Sequence, residues 1–439
     1  MQTRLKKLLI DPRKIYFGWW MTIAGGLLCF WGYAFHAYGF SALFKPISEE
    51  LGFSRATTSL AASITRFEGG VEAPLIGYMA DRYGPRITVF IGIFLAGLGL
   101  MLMYFVDSLW SFLLVWSVIG ATGINIGLSM PLDVAITNWF VKKRGTAISV
   151  KWVFSGLSGV IGLPLIAWMI SVYGWRAACV TGGVVLWVVG LPLVWFFIRS
   201  RRPEHYGLLP DGATPSEEDA SDALAAGKAY AADLGEVEFT AKEAIRTAPF
   251  WLMIVAYMFH GALYPVMNIH CIPFLTDRGM DLKLAAATMS VYILASIPAR
   301  FLGGALIDRL RMRNMRYALS GSFALQCFGV TLFLFNQESM AVLYTFFVLY
   351  GIGMGAVMPM TPVLRARYFG RKSFGTIAGW SRALTIPVGV IGPVLAGWIF
   401  DTTGSYEIAF LIFAITLGMA AVIMLFVTPP KPPPGHLSP

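Results

Sequence analysis

The chain has 439 residues, of which 57% are hydrophobic, 14% aromatic and only 13% charged. That is too little polar surface for a soluble protein of this size, so the chain is read as solvated by lipid. A net charge of +10 would suit a nucleic-acid partner, but the basic residues fall in short segments between long apolar runs, which removes that reading.

Taken in order, the segment from Met1 to Lys14 is basic. The apolar run behind it is longer than a signal-peptide core and lacks a small-residue cleavage site, so it is expected to be a retained first helix. Runs of about 20 apolar residues, enough to cross roughly 30 Å at 1.5 Å per residue, can be marked twelve times. They lie near 18–43, 57–79, 87–106, 110–136, 145–173 and 177–198, then near 250–275, 284–307, 317–335, 340–364, 375–400 and 408–427.

Helix 1 carries His36 and Tyr38. Helix 2 carries Arg66, Glu68 and Glu72, the two glutamates four apart and so on one face. A buried glutamate there is a candidate proton carrier, and an ion pair with Arg66 is the competing reading. After helix 2 comes the charged hairpin Gly77-Tyr-Met-Ala-Asp81-Arg82-Tyr-Gly84-Pro85-Arg86. Gly77 removes a side chain where helices must touch, Gly84 permits a left-handed turn, and Pro85 can open the next helix. Lys151 on helix 5 has two readings, a structural bridge to Asp133 on helix 4 or a substrate contact. Arg199 to Pro249, rich in Asp, Glu, Ala, Gly and Pro, reads as a linker with a short amphipathic helix around Ala241 to Arg246 on the membrane surface. The domains are then 1–198, 199–249 and 250–439.

In the second half, helix 7 carries His260, Tyr264, Asn268 and His270. Helix 8 carries Arg300 and ends in Gly304-Ala-Leu-Ile-Asp308-Arg309-Leu-Arg311, an echo of the first hairpin. Arg300 lies eight residues before Asp308, and Arg382 on helix 11 eight residues after Phe374. Both are therefore about 12 Å from the inner edge, close to the bilayer midplane. Each charge would cost about 2.5 to 3.5 kcal/mol in lipid, so each should face the protein interior or an aqueous cavity. Two cations at one depth suit an anion; the plainer alternative is that each pairs with an acid.

Further echoes make the chain two homologous halves of six helices. Gly123-Ile-Asn-Ile-Gly127-Leu-Ser-Met-Pro131 matches Gly351-Ile-Gly-Met-Gly355-Ala-Val-Met-Pro359, and Gly159-Val-Ile-Gly162 recurs as Gly389-Val-Ile-Gly392. The offsets stay between 227 and 230 residues. The outer loops keep only Lys45, Arg55, Arg176, Arg278 and Lys283, so the basic excess puts both termini in the cytoplasm. Cys29, Cys179, Cys271 and Cys327 sit singly in separate apolar segments, without metal or disulfide spacing. Gly351-Ile-Gly-Met-Gly355 lies inside an apolar helix and reads as helix packing rather than a phosphate loop. With no P-loop, zinc motif or nucleophile elbow, neither an enzyme nor an ATP-driven pump is expected, and no cofactor or metal.

The hairpin, read as G-x-x-x-D-R-x-G-x-R, resembles the signature of the major facilitator superfamily. Three stretches resemble its monocarboxylate transporter and oxalate–formate antiporter branch: Tyr16-Phe-Gly-Trp19-Trp20, Arg246-Thr-Ala-Pro-Phe250-Trp251 and Ala299-Arg300-Phe-Leu-Gly303-Gly304. The resemblance implies an all-α membrane protein of the major facilitator fold, a multi-pass protein of the cell inner (plasma) membrane that works as a monomer. It implies that Arg300 binds a substrate carboxylate, that Arg382 stands near the antiporters' helix 11 lysine, and that His36, Tyr38, Tyr264 and Asn268 line the cavity. Gly77, Asp81, Arg82, Gly84 and Arg86, with Asp308 and Arg309, would form gates.

Two departures stand out. Ser296 replaces the helix 8 aspartate of the animal carriers, and His36, Ala37 and Tyr38 stand where they have a lysine. Proton symport therefore does not carry over; exchange, uniport or coupling through Glu68, Glu72, His260 or His270 stays open. The expected function is secondary transport of a small organic anion by alternating access, with protons as a candidate co-substrate. Rivals are a proton-driven exporter of hydrophobic or cationic compounds and a non-transporting membrane sensor.

Overall fold

The computed structural model describes residues 15–52, 64, 65, 67–213, 223–335 and 339–433, apart from the side chains at 41, 44, 45, 268, 282, 283 and 286. Every regular element among them is helical. Nine described segments are long and apolar enough to cross a bilayer. One of them, Arg144–Phe197, is two helices meeting at Gly174, whose φ of 82° suits glycine. With the first helix and the described part of the second, the described residues hold twelve spans.

In chain order these are α1 (17–51), α2 (67–82), α3 (Pro85–Phe105), α4 (Leu109–Trp139), α5 (144–173) and α6 (175–197). The second half has α7 (248–277), α8 (Leu282–Arg309), α9 (Met315–Phe335), α10 (Met340–Phe369), α11 (Phe374–Thr403) and α12 (Glu407–Leu425). Local chemistry starts them as the sequence suggests. Gly84 turns with φ of 88° and Pro85 opens α3. A Ser108–Ser111 capping box starts α4, and Thr247 caps α7.

Small residues set the packing. A Cβ on Gly351 would lie 2.4 Å from the Tyr292 carbonyl oxygen, and one on Gly355 2.4 Å from that of Ser296. The glycine run on α10 is thus a seam against α8. The halves meet through α2 against α11 and α5 against α8. A Cβ on Gly77 would come within 2.1 Å of the Gly375 oxygen, and one on Gly145 within 2.2 Å of the Gly304 oxygen. The same close approach is therefore built twice, once per repeat. Apolar clusters fill both bundles, while Trp168, Trp195, Trp398 and Phe335 stay exposed where lipid would solvate them.

The described part of the linker is folded against the bundle. It forms 3-10 turns at Pro203–Tyr206 and Pro210–Gly212 and helices at Ala223–Asp233 and Ala241–Ile245. A Thr240–Glu243 capping box starts the last of these, close to where the sequence places a short helix. Rather than lying free on a membrane surface, that helix buries Ala244. The Phe239 amide before it donates to the Phe369 carbonyl at 3.0 Å, and Phe239 is buried too.

Candidate functional site

At the end of the bundle that carries the linker, both hairpin aspartates reach across to the opposite half. Asp81 accepts from the amides of Gly375 (2.9 Å) and Thr376 (2.7 Å) and from the Thr376 hydroxyl (2.7 Å). Asp308 does the same to Gly145 (2.6 Å), Thr146 (2.7 Å) and the Thr146 hydroxyl (2.8 Å). Each carboxylate thus sits on the N-terminus of a long helix, where free amides and the helix dipole favour an anion. The loop arginines are placed otherwise. Arg82 and Arg309 are exposed, and Arg86 donates to the Trp195 carbonyl with its guanidinium 4.2 Å over the Trp195 ring.

Deeper in the bundle, Arg300 is 3% exposed and donates from Nη1 to the Trp152 carbonyl on α5 at 2.7 Å. Its Nε is buried without a hydrogen-bond partner among the described residues. A Cβ on Gly156 would lie 2.9 Å from that Nη1, so the glycine makes room for the guanidinium. Arg382 donates to the Ser129 hydroxyl at 2.6 Å and to Asn125 Oδ1 at 3.4 Å, both on α4. Ser129 is where α4 breaks, at φ −87° and ψ −111°, just before Pro131. Among the described residues, no carboxylate lies within ion-pair distance of either arginine. Both cations of the second half are held by neutral acceptors of the first.

Lys151 is different. Its Nζ lies 2.5 Å from Asp133 Oδ1, with the lysine side chain fully buried, and stands 4.5 Å from the centre of the Trp152 ring. On α2, Glu68 and Glu72 both meet the Thr122 hydroxyl of α4, at 2.7 and 2.5 Å. Thr122, Asn125 and Ser129, at i, i+3 and i+7, share one face of α4, so this carboxylate pair and Arg382 sit along the same strip.

The histidines are dispersed. His36 stacks on Trp116 at 4.7 Å inside the first half, and His260 stacks on Phe323 at 4.5 Å. His270 bridges the Tyr406 hydroxyl (3.1 Å) and the Pro393 carbonyl (3.0 Å). None of these contacts joins the arginines. Tyr38 and Tyr264 lie near Tyr292 and Tyr350, a group of phenols drawn from α1, α7, α8 and α10. Arg66 and the side chain of Asn268 lie outside the described residues. Sequence reasoning missed Asn125, Ser129, Thr122 and the Trp152 carbonyl. The Ser-Met-Pro step at 129–131 marks the helix break, whereas no sequence signal marks a backbone carbonyl.

Comparison with known proteins adds the family. The chain matches the profile of the Major Facilitator Superfamily over residues 25–386 and 342–439. It is 24% identical over 405 residues to a probable sulfoacetate transporter of Cupriavidus necator, covering 87% of each chain. It is 26% identical over 403 residues to the oxalate:formate antiporter of Oxalobacter formigenes, covering 89% of this chain and 87% of that one. Monocarboxylate transporter 12 of Xenopus laevis is 26% identical over 372 residues, covering 80% and 77%. Among solved structures, the proton:xylose symporter XylE superposes with a TM-score of 0.72 at 15% identity, covering 96% and 98%. The human organic anion transporter TETRAN gives 0.63 at 15%, covering 94% and 100%.

Proposed function

The chain belongs to the major facilitator superfamily, as a transporter and not an enzyme, and we propose that its cargo is a small organic anion, a mono- or dicarboxylate or a close sulfonate relative. The observation that carries this is the pair of guanidiniums, Arg300 buried and Arg382 half-buried, that meet no carboxylate within ion-pair distance among the described residues. A carboxylate at a guanidinium away from bulk water forms two parallel charge-assisted hydrogen bonds and supplies the missing counter-charge. A cationic cargo would need an uncompensated acid in their place. The relatives named for sulfoacetate, oxalate and formate, and monocarboxylates support the same reading.

The carrier works in the cytoplasmic membrane with both termini inside, as a monomer, its halves 1–198 and 250–439 rocking about the cavity with 199–249 between them. Asp81 and Asp308 latch the inner end. Coupling, where protons take part, runs through Glu68 and Glu72 rather than His260 or His270. One hydroxyl has one proton to give, so two carboxyls within 2.7 Å of Thr122 suit a proton shared between them.

A thermal-shift screen of purified protein against mono- and dicarboxylates tests the cargo, repeated on Arg300→Lys and Arg382→Lys. Carboxylates should stabilise the wild type, Arg300→Lys should abolish most of that shift, and Arg382→Lys should alter the ranking. Stabilisation of all three proteins by a neutral or cationic ligand and by no carboxylate would overturn the reading. Counterflow of a labelled carboxylate in proteoliposomes then separates a carrier from a sensor, which binds without exchange.

A further inference from the structure

Three carboxylates of the linker are buried beneath the bundle, and their partners belong to both halves. Asp211, the one described non-glycine residue with positive φ (60°), accepts from the amides of Val141, Lys142 and Lys143 at 3.1, 2.8 and 2.9 Å. It thereby anchors the linker on the α4–α5 loop of the first half. Glu236 lies 2.6 Å from Arg144 at the start of α5 and 3.2 Å from Nε of Arg371 on the α10–α11 loop. The second contact is an ion contact without hydrogen-bond alignment. Glu204 takes the other side of Arg371 at 3.1 Å. A Cβ on Gly227 would collide with Glu204 at 2.1 Å, so the linker is shaped around that side chain. All four charged side chains, Arg144, Arg371, Glu204 and Glu236, are at most 3% exposed.

We propose that the linker is a clasp in the inner gate, with Glu236 as the shared counter-ion that holds Arg144 of one half to Arg371 of the other. The proposal rests on the reading that the halves rock apart at this end, and it is independent of the cargo. When the α4–α5 and α10–α11 loops separate, one carboxylate cannot stay with both arginines. The arginine left behind must be rehydrated, because an unpaired buried cation is costly. Direct contacts across the seam make the closed arrangement cooperative: Arg371 donates to the Asn138 carbonyl at 3.0 Å and Arg367 to that of Lys142 at 3.3 Å. The charged groups facing Glu236 are Arg144, Arg371 and, from the linker itself, Arg202. Removing its charge therefore tips the two-state balance toward inner opening.

The test measures the gap between the two loops in the full-length, substrate-free protein. Lys143→Cys and Lys372→Cys, exposed positions on the two loops, carry spin labels on a background without the four native cysteines. Pulsed dipolar spectroscopy then gives the distance distribution. Glu236→Gln should raise the ratio of long to short distances at least about tenfold. Glu204→Gln should shift it in the same direction by less, and decides the matter if Glu236→Gln does not fold. Asp233→Asn, which removes an exposed carboxylate at the end of the linker helix Ala223–Asp233, should leave the distribution unchanged. Unaltered distances in both Glu236→Gln and Glu204→Gln would overturn the clasp, as would an equal shift from Asp233→Asn. No carboxylate is added, so a failed cargo screen leaves this result standing and the converse also holds.

Discussion

Asp81→Asn should move the carrier toward its inward-open state, and the size of the shift follows from the latch geometry. The carboxylate accepts one bond at Oδ1 and two at Oδ2. An asparagine that keeps its oxygen on the Thr376 side turns its amide hydrogens against the Gly375 amide, so at least one bond to a charged acceptor is lost. Such a bond is worth about 1.5 to 3 kcal/mol, roughly a tenfold to hundredfold change in the open-to-closed ratio. Loss of the negative charge at the N-terminus of α11 adds a few tenths more. The reporter is Ala378→Cys, 5% exposed in the apolar cluster where α2, α4, α10 and α11 meet across the two halves. It should react slowly with a maleimide in the otherwise wild-type protein and at least about tenfold faster beside Asp81→Asn. Asp308→Asn should act in the same direction through α5. If the alkylation rate stays at its parent value while thermal stability falls, the aspartate is a structural cap and the gating argument is refuted.

Gly77→Val should prevent inner closure altogether, because the new Cβ meets the Gly375 backbone oxygen at 2.1 Å and no flexible atom can yield; the Ala378→Cys reporter should alkylate fast while membrane insertion is retained. Lys151→Met leaves Asp133 buried and unpaired, a loss of about 3 to 5 kcal/mol. Adding Asp133→Leu should restore most of the melting temperature and transport, whereas a lysine that contacts substrate would leave the double variant stable and inactive. Glu68→Gln and Glu72→Gln should each weaken uptake driven by an imposed pH gradient while sparing counterflow; full gradient dependence in both removes the coupling role. Burial pushes the Glu236 carboxyl up, but Arg144 and Arg371 outweigh it and hold it below the usual glutamate range. Its contribution to stability is then complete above about pH 4.3 and is lost as pH falls through the lowered native value. The melting-temperature gap between wild type and Glu236→Gln should stay constant from neutral pH to about 4.3 and close only below that.

Much of this architecture is legible in the sequence because lipid imposes a one-dimensional code. The apolar runs, as far as they are described, the hairpin echo at Asp81 and Asp308 and the glycine run at 351–355 reappear as helices, a pair of matching helix-capping carboxylates and a packing seam. Span length and small-residue contacts are local properties, and local properties can be read from a string. The partners of Asp81 are harder, because Gly375 and Thr376 lie nearly three hundred residues away and offer backbone amides that any sequence would carry. The same holds for Arg300 on the Trp152 carbonyl. Polarity alone does not tell which groups a histidine meets: His36 and His260 stack on Trp116 and Phe323. The linker's polar composition does not mark which of its charges are buried, yet Glu204, Asp211 and Glu236 are. Their counter-ions, Arg144 and Arg371, sit in loops far away in sequence.

The cross-half contacts of Asp81 and Asp308 repeat with the chain's internal symmetry and the candidate site does not, and on the proposed reading that difference bears on how cargo and movement are linked. Both cations come from the second half, while the first half answers with neutral acceptors, the Trp152 carbonyl and the Ser129 and Asn125 side chains. A carboxylate that takes two parallel bonds from a guanidinium competes with those acceptors. On the proposed reading, cargo binding exchanges cross-half hydrogen bonds at mid-depth for bonds to a ligand that travels with the cavity. A ligand shifts a conformational balance only by its difference in affinity between the two states. Here that difference arises because bonds from Arg300 to α5 and from Arg382 to α4 are released on binding, which loosens the halves from each other at the cavity. A neutral analogue, unable to draw the guanidiniums away from charge-assisted bonds already made, should occupy the cavity without easing the seam.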